Sequence, residues 1–280
     1  MSGAPSASGA HLVDRFDLRV RTEAEIDRVS RAVGDHPLSA LALVQLLRHG
    51  DGLGLDARLV AESWVYSMLQ AGPEFARWRS SRKVRGRSVE NPGPAIRTQR
   101  TGPVLALTLN RPSRHNAFSA EMRDALAESL SLVVADESIR SVTVCGAGPS
   151  FCSGGDLDEF GTFPDPATAH AIRSTRNPAR LLLRCADRVR FRLHGACIGA
   201  GVELPAFGAH VAAREDAFFQ LPEVSLGLVP GAGGTASLPR RIGRQQTAWL
   251  ALTGERIDAA RALALGLIDE IAPATAAGGL

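Results

Sequence analysis

The feature that most constrains the fold of this chain is an alternation of short apolar strands with an amphipathic helix, beginning near residue 96. The segments PVLALTLN and SVTVC are rich in β-forming residues, and SAEMRDALAESLSLVV between them places Met122, Leu126 and Leu130 on one helical face. Further short strands are expected at RFRLHG, AHVAAR and AFFQ, each beside a turn of small residues. Because strands that alternate with helices pack in layers, residues 96–273 are predicted to form an α/β domain.

Upstream of this domain the sequence pattern is helical. TEAE, from Thr22 to Glu25, is a capping box, and the Pro37 that opens PLSALALVQLLRH suits a first helical turn. The pattern predicts a flexible N-terminus over residues 1–16 and a small helical module over residues 17–90.

A third helix of this module is predicted at ARLVAESWVYSMLQ. Asp56 precedes it as a candidate N-cap, and apolar residues recur every four positions from Val60 to Met68. Large aromatic residues in such a module are expected in its core; these are Trp64, Phe75 and Trp78.

Composition and charge exclude several classes of function. The 280 residues are 45% hydrophobic and 22% charged, as in soluble globular proteins, and a net charge of +3 gives no general affinity for polyanions. The one basic run, RWRSSRKVRGR, lies beside NPGP and has no interleaved aromatic residues beyond Trp78, which favours a solvated linker over a nucleic-acid site. No signal peptide or membrane-spanning segment is present, which predicts a cytoplasmic protein with no membrane partner. The four cysteines lack CxxC and zinc-finger spacing, so reduced thiols and no metal site are expected.

Several familiar catalytic motifs are also absent. GAGVEL lacks the last glycine of a dinucleotide fingerprint, PGAGGTAS has no GK[ST], and neither HExxH nor GxSxG occurs. Two isolated acids remain, Glu203 in GACIGAGVELPAFGAH and Glu223 in FFQLPEVSLGLVPGAGGT. Two turns of small residues accompany them, and such turns let a ligand approach backbone N–H groups closely. The sequence therefore indicates acid/base chemistry.

In their order and spacing, five segments resemble the crotonase family, also called the enoyl-CoA hydratase/isomerase superfamily. They run from Val104 to Ile271 as VLALTLNRPSRHNAFS, FCSGGDL, HGACIGAGVEL, LPEVSLGLVPGAGGTASLPRRIG and LTGERIDAARALALGLIDEI. The resemblance implies a crotonase-like spiral of ββα units, here with an N-terminal helical extension. It also implies binding of an acyl-CoA thioester and assembly as a homo-oligomer, a trimer or a hexamer.

The resemblance assigns the catalytic groups by motif position. It implies that the backbone N–H groups of Ser153 and Ala200 stabilise negative charge on the thioester oxygen, each contributing about 3 kcal/mol. It further implies that Glu203 helps to activate water as general base and that Glu223 delivers the α-proton. Two carboxylates in a dry pocket cannot easily both ionise, so a shared proton and a coupled titration are expected.

The coenzyme A moiety is expected to contact two segments. Candidate residues, by resemblance, are His115, Asn116, Ala117, Ser153, Gly154, Gly155, Asp156 and Ala200. Arg111 and Arg114 are available for its phosphates. Coenzyme A belongs to the substrate, so no separate cofactor is expected.

The sequence leaves the reaction and the role of the module open. An enoyl-CoA hydratase fits both acids, a double-bond isomerase needs only the acid at Glu223, and an aryl-CoA oxygenase or another crotonase chemistry also fits the motifs. A non-catalytic acyl-CoA-binding partner would usually lose one acid. Family members normally continue into a C-terminal helical segment beyond the last motif. We therefore expect helices within residues 22–80 to cover the corresponding surface and to contribute to the acyl pocket or the oligomer contact.

Overall fold

The computed structural model describes residues 15–82 and 93–273. Residues 1–14, and residues 83–92 within the basic run and the NPGP segment that follows it, lie outside the described residues, as do the predictions made for them.

Helices dominate the N-terminal part and then alternate with strands. The helices are α1 (Glu23–Asp35), α2 (Pro37–Gly50), α3 (Leu55–Gln70), α4 (Pro73–Ser81), α5 (Ala120–Ala135), α6 (Pro166–Thr175), α7 (Pro178–Cys185), α8 (Ala200–Glu203), α9 (Gly234–Ile242), α10 (Arg244–Thr253) and α11 (Ala259–Leu265). The strands are β1 (Ile96–Thr101), β2 (Val104–Leu109), β3 (Ser141–Gly146), β4 (Val189–Leu193), β5 (Ala196–Ile198), β6 (His210–Arg214), β7 (Phe218–Gln220), β8 (Ile257–Asp258) and β9 (Glu270–Ala272).

The strands form two sheets. The larger sheet has the order β1-β2-β3-β4-β6-β9, with β1 and β2 antiparallel and the other neighbours parallel. Parallel neighbours need crossover connections, which α5 supplies between β2 and β3. The smaller sheet has the order β5-β7-β8. The prediction of an α/β fold is confirmed.

The starts of the N-terminal helices follow local chemistry. The Thr22 hydroxyl accepts the N–H of Glu25 at 3.2 Å, and Pro37 occupies the first turn of α2, as predicted. The prediction for Asp56 is wrong, because α3 begins at Leu55 after Gly54. The Asp56 carboxylate instead pairs with Arg180 at 2.7 Å.

The module packs on the α/β domain, as expected. Helices α1 and α2 contact α10, while α3 contacts α6, α7 and α9. Phe75 is buried and stacks on Trp78 at 5.5 Å between ring centroids. The core prediction for Trp64 is wrong, because 60% of this residue is exposed. Among the described residues, no helix has both the length and the apolar character needed to cross a bilayer.

Candidate active site

Glu203 is the last residue of the four-residue helix α8, which follows β5. Small residues let this helix lie directly against the chain around Cys152, since a Cβ at Gly201 would be 2.5 Å from the Cys152 carbonyl oxygen. Glu203 is only 2% exposed, and its Oε2 accepts the N–H groups of Ala232 at 2.7 Å and Gly234 at 2.9 Å. A residue that sequence pattern alone would place on a solvent-facing helix is therefore held inside the protein.

Glu223 opens the short helical turn Glu223–Leu226 that follows β7. Its side chain is buried, and its Oε2 has no hydrogen-bond partner. A buried carboxylate oxygen without a donor is costly in the ionised state, which favours the protonated acid.

Both acids line one cavity of ≈ 380 Å³. Core-domain residues Ala200 and Gly155 contribute to its wall, and Leu59 and Tyr66 of α3 contribute from the module. A larger groove of ≈ 1200 Å³ lies over the open face of the six-stranded sheet, but neither acid lines it. The cavity that holds the two acids is therefore the candidate active site.

Burial controls the protonation of this cavity. It raises the pKa of Glu203 well above its usual value, and the negative charges of Glu223 and Glu62 raise it further. Burial also raises the pKa of Glu223 to about 8, again with a contribution from the charge of Glu62. Burial therefore moves both acids toward the protonated form, and Glu223 titrates close to neutral pH, where general acid/base catalysis is most efficient.

Two backbone N–H groups at the cavity wall have no acceptor among the described residues. They belong to Gly155 and to Ala200, the first residue of α8. The N–H of Ser153, the other donor that the resemblance implies, donates to the His115 carbonyl at 3.0 Å, and Ser153 does not line the cavity. Gly155, which lines the cavity, lies two residues further along the same small-residue turn.

The structure divides the predicted coenzyme A contacts into two groups. Gly155, Asp156 and Ala200 line the cavity. The other candidates lie outside its lining, and they are His115, Asn116, Ala117, Ser153 and Gly154. Their contact with coenzyme A stays a prediction.

Asn116 has a structural role that its sequence position does not reveal. Its Oδ1 accepts the N–H of Arg111, and its Nδ2 donates to the carbonyls of Ala147 and Ser150. The side chain is fully buried and holds a left-handed turn, with φ 53° at Asn116 itself. Its polar atoms are thus occupied by the protein's own backbone.

The arginines predicted for the phosphates make ion pairs within the chain. Arg111 pairs with Asp156 at 3.0 Å, and Arg114 pairs with Asp158 at 3.2 Å. Arg82, the last described residue before the gap in the described chain, pairs with Asp158 as well, at 2.8 Å.

Sequence reasoning missed one acid of this cavity, Glu62 of α3. It is 3% exposed, it lines the cavity, and burial raises its pKa to about 7 against the opposing effect of its hydrogen bonds to Thr235 and Gly233. The signal that identified Glu203, one acid in an apolar stretch, is also present in LVAESWVY. No group of three or more His, Cys, Asp or Glu side chains in residues 15–82 and 93–273 is arranged to hold a metal ion.

Residues 99–277 match the family model described as enoyl-CoA hydratase/isomerase. The chain is 38% identical over 172 residues to 1,2-epoxyphenylacetyl-CoA isomerase of Escherichia coli (strain K12), covering 60% of this chain and 66% of the relative. It is 34% identical over 171 residues to 2,3-dehydroadipyl-CoA hydratase of the same organism, covering 61% of this chain and 66% of the relative. The match thus spans slightly less than two-thirds of the length of these relatives.

Solved structures agree with this match. The enoyl-CoA hydratase of Mycobacterium smegmatis superposes with a TM-score of 0.61 at 32% identity, covering 66% of this chain and 72% of that chain. A Thermobifida fusca protein in complex with acetoacetyl-CoA gives a TM-score of 0.60 at 29% identity, covering 65% of this chain and 75% of that chain. Glu62 lies outside the residues matched by the family model. The predicted crotonase fold is confirmed, and the chain belongs to the enoyl-CoA hydratase/isomerase family.

Proposed function

We propose that this chain adds water across the double bond of a 2-enoyl-CoA thioester. The observation that carries the proposal is that Glu203 and Glu223 line one buried cavity together with the unengaged backbone N–H groups of Gly155 and Ala200. Hydration needs a base for water, an acid for the α-carbon and donors for the thioester oxygen, and this cavity offers all three.

The hydrogen bonds of the two acids assign their roles. Two N–H groups stabilise the carboxylate form of Glu203, whereas no donor reaches Oε2 of Glu223. Burial and the charge of Glu223 raise the pKa of Glu203, and these two N–H groups oppose that rise. On the hydrogen-bond geometry we assign the shared proton to Glu223, which acts as the acid. Glu203 is then the base, because its carboxylate keeps two N–H donors while the pair holds one proton.

The reaction then proceeds with its protons balanced. Glu203 takes a proton from water as the water oxygen bonds to the β-carbon, and the double-bond electrons move to the thioester oxygen. The N–H groups of Gly155 and Ala200 stabilise that negative charge, at roughly 3 kcal/mol for each donor. Glu223 protonates the α-carbon, and transfer of the new proton from Glu203 back to Glu223 restores the starting state.

Relatives support an acyl-CoA substrate and differ in the reaction. The Thermobifida fusca protein carries acetoacetyl-CoA, and the two Escherichia coli relatives are a hydratase and an isomerase. An isomerase needs one acid at the α-carbon, whereas hydration uses two. The presence of both Glu203 and Glu223 at the cavity favours hydration.

A substrate screen tests the proposal. Purified protein is incubated with short-chain, long-chain and aromatic 2-enoyl-CoA esters, and loss of the conjugated-thioester absorbance reports hydration. The corresponding 3-enoyl-CoA esters report double-bond migration, because conjugation then appears. Hydration of at least one ester supports the proposal, whereas migration without hydration assigns the cavity to isomerisation.

A further inference from the structure

Four successive backbone N–H groups, from Ala232 to Thr235, are held by two carboxylates in alternation. Those of Ala232 and Gly234 donate to Glu203. The N–H of Gly233 donates to Glu62 Oε1 at 2.7 Å, and the N–H of Thr235 donates to Glu62 Oε2 at 2.9 Å. The Thr235 hydroxyl adds a third bond to Glu62 Oε2, at 2.6 Å.

Because the bonds alternate, the orientation of the N–H groups that bind Glu203 depends on the N–H groups that bind Glu62. Each peptide group is rigid, so the direction of one N–H constrains that of its neighbours. Loss of Glu62 would leave the buried N–H groups of Gly233 and Thr235 without acceptors, and the backbone would turn to find new partners. The same turn would redirect the Ala232 and Gly234 donors that orient the Glu203 carboxylate.

The loop has no room to adjust by sliding. A Cβ at Gly234 would lie 2.7 Å from Glu203 Oε2, and one at Gly233 would lie 2.7 Å from the Phe207 ring. Gly233 also has φ 104°, a conformation that favours glycine. The loop is therefore fixed between the carboxylates of Glu62 and Glu203, at the start of α9.

We propose that Glu62 is a positioning residue for Glu203, acting through the loop Ala232–Thr235. It needs no contact with the substrate: its carboxylate fixes the peptide groups whose N–H donors hold the catalytic base. The inference rests on the proposed hydration reaction, in which Glu203 is that base. The negative charge of Glu62 has a second effect, since it raises the pKa of both Glu203 and Glu223.

Glu74 is a matched control for Glu62. It is also a buried glutamate of the module, and it also accepts N–H groups at the start of a helix, those of Leu38 and Ser39 in α2. Its hydrogen bonds do not reach the loop that holds Glu203, and it does not line the cavity. A general effect of losing a buried helix-capping carboxylate would therefore appear in both variants.

The experiment compares Glu62→Gln and Glu74→Gln with the full wild-type chain, using a 2-enoyl-CoA ester from the screen. For Glu62→Gln we expect kcat to fall roughly tenfold to a hundredfold with little change in KM, because misplacement of a catalytic group by about 1 Å costs this much. The apparent pKa values of the pH–rate profile should also move to lower pH, because a neighbouring negative charge is gone. Glu74→Gln should retain the wild-type kcat and pH profile. An unchanged kcat and profile in Glu62→Gln, or equal changes in both variants, would overturn the inference.

A second pair of variants decides the question if Glu62→Gln does not fold. Thr235→Val removes only the hydroxyl bond to Glu62, whereas Thr235→Ser keeps it. We expect a severalfold fall in kcat for Thr235→Val at unchanged KM, with Thr235→Ser close to wild type. Equal kcat in the two variants would overturn the inference.

Amide exchange separates this inference from the proposed function. If the wild type hydrates none of the esters, the proposed function fails, and the coupling is then judged from the exchange rates of residues 232–235. Faster exchange at Ala232 and Gly234 in Glu62→Gln supports the coupling, because those N–H groups bind Glu203 and not Glu62. Faster exchange confined to Gly233 and Thr235 would overturn it.

Discussion

Gly199 and Glu223 approach each other so closely that a Cβ at residue 199 would overlap Glu223 Oε1. Gly199 immediately precedes α8, with φ 50°. Both the space and the backbone conformation therefore require glycine at this position. The same turn places the Ala200 N–H and the Glu223 carboxylate on one cavity.

Gly199→Ala is accordingly expected to displace the Glu223 carboxylate and to lower kcat about a hundredfold, the usual loss for a misplaced catalytic group. Gly243→Ala is the matched control, because Gly243 has φ 79° but a Cβ there would meet no other atom within 4 Å. It should cost about 1–3 kcal/mol of stability, because φ 79° with ψ 157° is a conformation that favours glycine, and it should leave turnover unchanged. Steady-state kinetics and urea unfolding of both variants check the prediction, which near-wild-type turnover by Gly199→Ala would contradict.

Replacement of either acid by its amide should abolish most of the hydration. We expect Glu203→Gln and Glu223→Gln each to lower kcat at least about a hundredfold, the contribution typical of general acid/base catalysis, with little change in folding. Double-bond migration is measured in parallel. If Glu203→Gln retains migration but not hydration, the base is specific to the water-adding step. Turnover close to wild type in either variant would remove that acid from the mechanism.

Removal of a single backbone donor tests the N–H of Ala200. Proline is tolerated at the first residue of a helix, which is the position of Ala200 in α8, so Ala200→Pro deletes the donor with the least structural change. We expect a loss of about a hundredfold or more in kcat, whereas Ala200→Gly keeps the N–H and much of the activity. Ser153→Ala should be nearly silent, since it keeps the backbone N–H and removes only a hydroxyl that lies 3.4 Å from the Arg114 carbonyl. Equal activity of Ala200→Pro and Ala200→Gly would exclude this donor.

The buried acids also predict how stability depends on pH. Burial raises the pKa of Glu62 to about 7 and that of Glu223 to about 8, from the usual 4.5. Between the usual value and these raised values, the folded state therefore binds more protons than the unfolded state. The free energy of unfolding should therefore fall as pH rises from about 5 to 8, by at least about 1 kcal/mol. Glu223→Gln should flatten this decline in urea titrations.

The contribution of Glu74 to stability depends on pH in the opposite direction. Hydrogen bonds from Leu38 and Ser39 lower the pKa of its carboxyl, against the opposing effect of burial, so its stabilisation is present above the usual pKa and is lost in acid. Glu74→Gln should then destabilise the protein most at neutral pH. The raised pKa values of Glu62 and Glu223 would be contradicted if the free energy of unfolding of the wild type did not change from about pH 5 to 8 and Glu223→Gln behaved in the same way.

Sequence pattern predicted the α/β domain well because its strands and helices carry strong local signals. The predicted segments RFRLHG, AHVAAR and AFFQ correspond to β4, β6 and β7. The resemblance placed Glu203, Glu223 and Ala200 on what proves to be one cavity. The sequence could not show that the Ser153 N–H donates to the His115 carbonyl, because that bond depends on how two segments distant in sequence pack together.

The inward face of α3 could not be predicted from hydrophobicity. The apolar spacing of Val60, Trp64 and Met68 indicated a buried stripe, yet Trp64 is 60% exposed and Met68 is 57% exposed. The face that packs inward combines apolar and polar residues, and these are Leu59, Glu62, Ser63, Tyr66, Ser67 and Leu69. Periodicity methods treat such polar residues as solvent-facing, so they fail where a helix face places an acid and hydroxyl groups inside the protein.

The bonds between Glu62 and the start of α9 also bear on how the protein folds. Glu62 and Gly233 are 171 residues apart in sequence, so this contact closes a very long loop. Contacts of such separation form slowly, because loop-closure entropy is lost before the contact stabilises the chain. Catalytic competence should therefore return only in the last kinetic phase of refolding, after the helical signal has recovered. A chain that had formed its sheets and helices but had not yet docked α3 would show the helical signal of the folded protein and would have no activity.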